Sequence, residues 1–465
     1  MIRILSLTLA LCATVAGTAR AEVAIEIEEV TSPGGITAWL VEDHTIPFTA
    51  LEIRFEGGTS LDEPDSLGAV NLMTGLLEEG AGEMEAREFQ AAREDLGASF
   101  SFDVGSDTLS VSARMLTENR DAAVDLLREA LVAPRFDPVA IERVRGQVQS
   151  ILAQDAQNPR RLASRAFYEA AFGDHPYGRP DNGTPESVAA LTRADLLAAH
   201  EAALTRESVH VGAVGDITPE ELGALLDELL GDLPEEGPEL PGHVEFGLAG
   251  GVEVIDYPTP QSVALFGQPG LEREDEDFFA AYILNHILGG GGFESRLMTE
   301  VREKRGLTYG ISTDLVPLEN AEFWIGSVAS ANDRMATAIE VIRDEWARIA
   351  EEGVTQEELD AAKTYLTGEY PLRFDGNGQI AGILVGMQVT GLPQSYVTER
   401  NEFIEAVTLE EINRVAAERV DPEALHFVVV GRPEGLDGAQ DAQGARAPRV
   451  TLPEVVLPEA VPAAR

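Results

Sequence analysis

Apolar and polar positions alternate with a period of two over several short stretches of this chain, and with a helical period over longer ones. Val23 to Glu29 and Thr37 to Val41 read as strands joined by a Pro33-Gly34-Gly35 turn. Ala50 to Phe55 (ALEIRF) is a third strand, ending at Gly57-Gly58. Gly68 to Leu77 is mainly apolar and predicts a helix stopped by Gly80 and Gly82. Ala86 to Leu96 predicts another, ahead of a strand pair at Ala98 to Val104 and Thr108 to Ala113. Arg120 to Leu131 is an amphipathic helix with apolar residues at 123, 126, 127, 130 and 131. Helices over Pro138 to Ala156 and Arg161 to Phe172 come next. Strand Ser208 to Val214 and a helix opened by Pro219 close the set.

From Asp232 to Gly251 both periods vanish, and DLPEEGPELPGHVEFGLAGG reads as a linker rich in Pro, Gly and acid. Beyond Gly251 the second half of the chain repeats the pattern of the first. Asp277 to Leu288 is an apolar helix placed like Gly68 to Leu77. Glu300 to Arg305 leads into strand Thr308 to Thr313, and Phe323 to Val328 is the next strand. Helices Asp333 to Ile349 and Thr355 to Glu369 match Arg120 to Leu131 and Pro138 to Ala156. His426 to Gly431 (HFVVVG) echoes His210 to Gly215 (HVGAVG). The expected fold is α+β, with two homologous domains of roughly 200 residues, each a largely antiparallel sheet with helices on one face. The boundaries are 22–232 and 252–435, joined by a 233–251 linker and ending in a poorly ordered tail at 436–465.

Charge narrows the partners. The chain has 81 acidic and 34 basic residues, a net charge of −47. Such a surface repels nucleic-acid phosphate and anionic lipid, so neither is an expected partner. Residues 1–21 read as a secretory signal: Arg3, an apolar run from Ile4 to Val15, then Ala19-Arg20-Ala21 as the cleavage site. That implies export, most simply to a bacterial periplasm. The only cysteine, Cys12, lies inside the signal, so the exported chain has no disulfide, no Cys-zinc site and no Cys nucleophile. Its seven histidines stand at 44, 175, 200, 210, 243, 286 and 426, and no two are three to five residues apart. No helical His pair can form.

One stretch is out of character: GGGGFESRLMTEVREKRGLTY, from Gly289 to Tyr309. Four glycines, Gly289, Gly290, Gly291 and Gly292, precede a helical segment carrying Arg296, Arg302, Lys304 and Arg305. Local pattern allows two readings. One is a plain helix-to-helix turn with a solvated basic face, Arg302 in a surface salt bridge and Tyr309 a half-buried strand aromatic. The other is a binding site.

The repeated halves, this segment, DHPYGRPDNGTPESVAALTRADL (Asp174 to Leu196) and VHVGAVGDIT (Val209 to Thr218) together resemble the insulinase or pitrilysin family of zinc peptidases, over about Ile25 to Gly431. The resemblance implies two halves forming one side of a clam-shell chamber. It also implies an inverted zinc motif, His-x-x-Glu-His, on the Gly68 to Leu77 helix. Here Asn71 stands at the first His, Thr74 at the general base and Gly75 at the second His. The third ligand should fall in Gln147 to Ile151 (QVQSI), which has no carboxylate. No metal or other cofactor is expected in this chain. In the family an Arg and a Tyr seven residues apart hold substrate backbone and the developing oxyanion, and Arg302 and Tyr309 match that pattern. The glycine run is similar to the glycine-rich loop of the non-catalytic subunit of mitochondrial processing peptidase, a member of the family.

These likenesses imply a non-catalytic, peptide-binding subunit of a periplasmic heterodimer. A zinc-bearing homologous subunit would cleave unfolded peptides, with Arg302 and Tyr309 contributed from this chain. The alternative is a peptide-binding or assembly scaffold with no hydrolytic partner.

Overall fold

The computed structural model describes residues 25–436, so the signal region and nearly all of the expected tail lie outside the described residues. The first half runs β1 (Glu28–Thr31), β2 (Thr37–Glu42), β3 (Phe48–Glu56), α1 (Ala69–Thr74), β4 (Gly80–Ala81), β5 (Met84–Glu85), α2 (Ala86–Asp95), β6 (Ser99–Val104) and β7 (Thr108–Leu116). It continues through α3 (Arg120–Val132), α4 (Pro138–Asp155), α5 (Pro159–Phe172), α6 (Pro185–Ala190), α7 (Arg193–Ala203), β8 (Val209–Gly215) and α8 (Pro219–Leu230). The second half comprises β9 (Gly251–Asp256), β10 (Gln261–Pro269), α9 (Phe278–Asn285), β11 (Thr308–Pro317), β12 (Glu322–Ala331) and α10 (Met335–Glu352). Helices α11 (Gln356–Glu369), α12 (Asn377–Val389), α13 (Tyr396–Ala406) and α14 (Leu409–Arg419) lead to the last strand, β13 (His426–Gly431).

Strand order carries the repeat. The first sheet is β1-β2-β8-β3-β7-β6 and the second, from its matching edge, is β9-β13-β10-β12-β11. Apart from β1, the two agree strand for strand. Each is antiparallel except for one equivalent pair, β2 with β8 and β9 with β13. Alternation along β3 sends Leu51, Ile53 and Phe55 into the helices of its own half. Ala264 and Phe266 of β10 do the same in the second.

The opposite sheet faces are covered by an exchange. Helix α5 leaves the first half and lays Ala163, Phe167 and Ala171 on Val263, Leu265 and Val430 of the second sheet. Its counterpart α12 crosses back, with Ile380, Leu384 and Met387 against Trp39, Val41 and Val214. Gly212 of β8 admits the close approach of α12, because a Cβ there would stand 2.7 Å from the Ala381 carbonyl oxygen. Residues 234–250 form no helix or strand, yet they are docked. Phe246 packs on Phe167 and Phe323 at ring separations of 5.8 and 5.9 Å, and the Gly247 amide donates to the Ala171 carbonyl at 2.9 Å. At the far side of the second half, Arg432 pairs with Asp256 at 3.0 Å, so ordered structure continues past Gly431. Among the described residues no helix is long and apolar enough to cross a membrane.

Candidate functional site

The apolar helix of the first half is shorter than its sequence predicts, α1 ending at Thr74. Its start is fixed by Asp62, which is buried and accepts the Gly68 and Val70 amides at 2.6 and 2.9 Å. Burial raises the Asp62 pKa to about 6 in spite of those donors. Asn71 is half-buried and Thr74 is buried, its hydroxyl donating to the Val70 carbonyl at 2.8 Å. Gly75 is exposed, and a Cβ there would come within 3.2 Å of Val144 on α4.

The next carboxylates along the chain, Glu78 and Glu79, are ion-paired with Arg93 and Arg143. On α4 the expected ligand window presents Gln147, Val148, Gln149, Ser150 and Ile151, and Gln149 donates to the Pro185 carbonyl at 2.7 Å. An amide, a self-satisfied hydroxyl and a glycine do not make a divalent-metal site. The residues present do not fit zinc. Among the described residues, the one His and carboxylate group whose ligand atoms converge within 4.8 Å is His243, Glu272 and Glu322, outside this helix.

The second-half segment divides into structural and free side chains. Arg296 is held by Glu358 and lies 3.6 Å from Glu345. Lys304 and Arg305 both grip Glu300, at 2.7 and 2.6 Å. Hydrogen bonds from Lys304 and Arg305 draw the Glu300 carboxyl down to about 2. Burial pushes Glu358 up, but bonds from Arg296 and Thr355 prevail and hold it at about 2 as well. Three of the four cations are therefore mortar.

Arg302 is the exception. Among the described residues it makes no ion pair and no side-chain hydrogen bond, and its guanidinium lies over the Phe293 ring at 4.6 Å. Stacking occupies the face of the guanidinium and leaves its in-plane N–H donors available. Tyr309 is 88% exposed, and among the described residues its hydroxyl has no hydrogen-bond partner. A bulge puts it there. Thr308 faces Ser330 and Ile311 faces Val328, so Tyr309 and Gly310 together oppose Ala329. The Thr308 hydroxyl donates to the Ala329 carbonyl at 2.7 Å and fixes the distortion. Tyr309 is thus no half-buried strand aromatic, and Arg302 is no surface ion pair.

The glycines split in the same way. A Cβ on Gly289 would stand 2.4 Å from Thr313 Oγ1, and one on Gly291 would stand 2.7 Å from the His286 carbonyl, so both are required by packing. Gly290 would meet Asn285, while Gly292, at φ +61°, has open space around it. Residues 286–290 extend α9 as a single wider turn, which delivers the exposed Phe293 beneath Arg302. His286 stacks on Tyr365 at 5.0 Å, and burial lowers its pKa. Sequence reasoning missed Phe293, although an exposed aromatic directly after four glycines was a readable signal.

Comparison with known proteins agrees with the fold. The family described as Insulinase (Peptidase family M16) matches residues 37–184, and the one described as Peptidase M16 inactive domain matches 190–366. A crystal structure of a peptidase M16 inactive domain from Pseudomonas fluorescens superposes with a TM-score of 0.82 at 28% identity, covering 88% of this chain and 98% of that one. The non-peptidase homolog YmxG of Helicobacter pylori is 26% identical over 84% of this chain and 90% of its own. An uncharacterized zinc protease of Streptomyces coelicolor is also 26% identical, over 84% and 86%. The chain belongs to the insulinase family, peptidase family M16. Its relatives carry both kinds of name, zinc protease and non-peptidase homolog.

Proposed function

We propose that this chain is the non-catalytic, peptide-binding subunit of a periplasmic, heterodimeric M16 peptidase, paired with a homologous subunit that carries zinc. One observation carries the reading. In a segment where every other cation is tied to a glutamate, Arg302 and Tyr309 alone keep their donors free, beside the unpaired edge of β11. An extended peptide can add to such an edge through main-chain hydrogen bonds, which favours unfolded substrates over any one sequence. A fixed guanidinium and a phenol suit a peptide carbonyl that gains negative charge during cleavage. The partner supplies the metal chemistry. The secretory signal in residues 1–21 supports a periplasmic setting.

The test is reconstitution. The purified chain should cleave no peptide alone, and activity should appear when its zinc-bearing partner is added. In the complex, Arg302→Ala should lower kcat/KM by about 10²-fold or more. Full activity in that mutant complex would sink the role assigned to Arg302, and hydrolysis by the isolated chain would sink the heterodimer.

A further inference from the structure

A cavity of about 250 Å³ lies between α9, the turn after α11, α12 and α13. Three arginines line it, Arg273, Arg373 and Arg400, and no carboxylate does. In a chain with more than two acids for each base, that composition is inverted. Arg373 is exposed and pairs with Glu369 at 2.6 Å. The other two have no acidic partner among the described residues.

Arg400 is only 4% exposed. It donates to the Leu366 carbonyl at 2.7 Å, to Asn401 Oδ1 at 3.1 Å and to the Tyr282 hydroxyl at 3.4 Å, and stacks over the Tyr370 ring at 4.6 Å. Arg273 donates to the Tyr396 hydroxyl at 2.9 Å and lies 4.2 Å from the centre of the Phe278 ring. Carbonyls and aromatic faces soften the desolvation of a guanidinium, but they do not neutralise it. Tyr370 supplies no counter-charge either, since burial pushes its pKa up to about 12. A nearly buried cation beside a second unpaired one, both lining a cavity, leaves charge to be compensated.

We propose that this cavity binds a small monocarboxylate with an aromatic or aliphatic body. Its carboxylate lies between Arg273 and Arg400, and its apolar end rests on Phe279, Ile383 and Met387. Arg273 offers its remaining in-plane N–H donors to the carboxylate, while Arg400, whose terminal nitrogens are already bonded to protein oxygens, contributes mainly its charge. The field of a −47 chain disfavours a multiply charged phosphate. The volume, near the lower end of ligand sites at roughly 300 Å³, admits a small molecule or one terminal residue and no folded partner.

Calorimetric titration and thermal melts of the purified chain test this, with acetate, hexanoate, phenylacetate, uncharged phenylacetamide and inorganic phosphate as probes. Hexanoate or phenylacetate should bind one to one with a Kd on the order of 1 mM or tighter and raise the Tm. Phenylacetamide should not bind. Arg273→Gln, at a half-exposed position, should weaken binding about tenfold or more. Arg400→Gln should do the same, and if that variant fails to fold, Arg273→Gln carries the test. A free acid and a peptide C-terminus share this chemistry. A tripeptide ending in phenylalanine and its C-terminal amide tell them apart, because only the free terminus should compete with phenylacetate if peptides are the source. Equal binding of phenylacetamide, tighter binding of phosphate, unchanged affinity in Arg273→Gln, or no saturable carboxylate binding up to about 10 mM would each overturn the proposal.

Discussion

Arg296 holds Glu358 in a two-point contact, Nε to Oε1 at 2.7 Å and Nη2 to Oε2 at 2.8 Å, across 62 residues of chain. Arg302, six positions further on, touches no acid among the described residues. The contrast separates stability from function within one short segment. Arg296→Ala should destabilise the fold by about 2 kcal/mol, below the cost of breaking a fully buried pair because Glu358 keeps some solvent. Arg302→Ala should leave the unfolding free energy from urea titration within about 0.5 kcal/mol of the parent. Equal losses in the two variants would mean that Arg302 is structural after all.

Phe293 supports Arg302 from below, so its removal should loosen the guanidinium without deleting it. In the reconstituted complex, Phe293→Ala should reduce kcat/KM by about tenfold, less than Arg302→Ala, and Phe293→Trp should restore most of it through a better cation–π face. Loss in the Trp variant equal to that in the Ala variant would rule out a positioning role.

Exchange of α5 and α12 predicts that the halves do not fold alone. Residues 252–436 expressed separately would expose Val263, Leu265, Phe323 and Val430, which α5 and the 234–250 segment now cover. That fragment should aggregate or bind a hydrophobic dye. In the whole chain, Phe167→Ala should cost about 3–5 kcal/mol, read from denaturant unfolding monitored by both fluorescence and circular dichroism. A well-folded, monomeric 252–436 fragment would show the exchange to be dispensable.

The exchange was invisible in sequence for a definite reason. The period of Ala163, Phe167 and Ala171 shows that a face is buried, but not which sheet buries it. The repeat was legible because each strand and helix carries its own local pattern, and the strand orders of the two sheets agree with it. The Arg302 and Tyr309 pair was singled out by the resemblance to the insulinase family, since local pattern alone left a plain basic helix face equally open. The tie of Arg296 was less legible, because Glu358 approaches from a distant helix. Of the glycines, the sequence suggested one loop with one purpose. Packing divides it, with Gly289 fixed by Thr313 and Gly292 by its backbone angle.

Asn71, Thr74 and Gly75 on and after α1 offer no histidine or carboxylate, so the purified chain is expected to retain well under one zinc per molecule, measured by plasma mass spectrometry after dialysis. One retained equivalent would contradict this, and His243→Ala would then show whether the His243, Glu272 and Glu322 group holds it.

Stability should peak at mildly acid pH, because two sets of carboxylates pull in opposite directions. Glu300 and Glu358 have folded pKa values near 2, below the unfolded value of about 4.3. The unfolded chain binds more protons in that interval, so their contribution is complete above about 4.3 and is lost as pH falls toward 2. Glu319, at the tip of the β11–β12 hairpin, behaves inversely. Burial, then the nearby Glu56 and Asp107, raise its pKa to about 7, with His210 acting weakly against them. The folded chain then binds more protons between about 4.3 and 7, and stability declines as pH rises through that window. Glu319 keeps one side in water, so the effect should be about 1 kcal/mol or less. Glu319→Gln should therefore raise the Tm at pH 8 and leave it nearly unchanged at pH 4. An equal shift at both pH values, or a lower Tm at pH 8, would show that Glu319 carries no strained charge against Glu56 and Asp107.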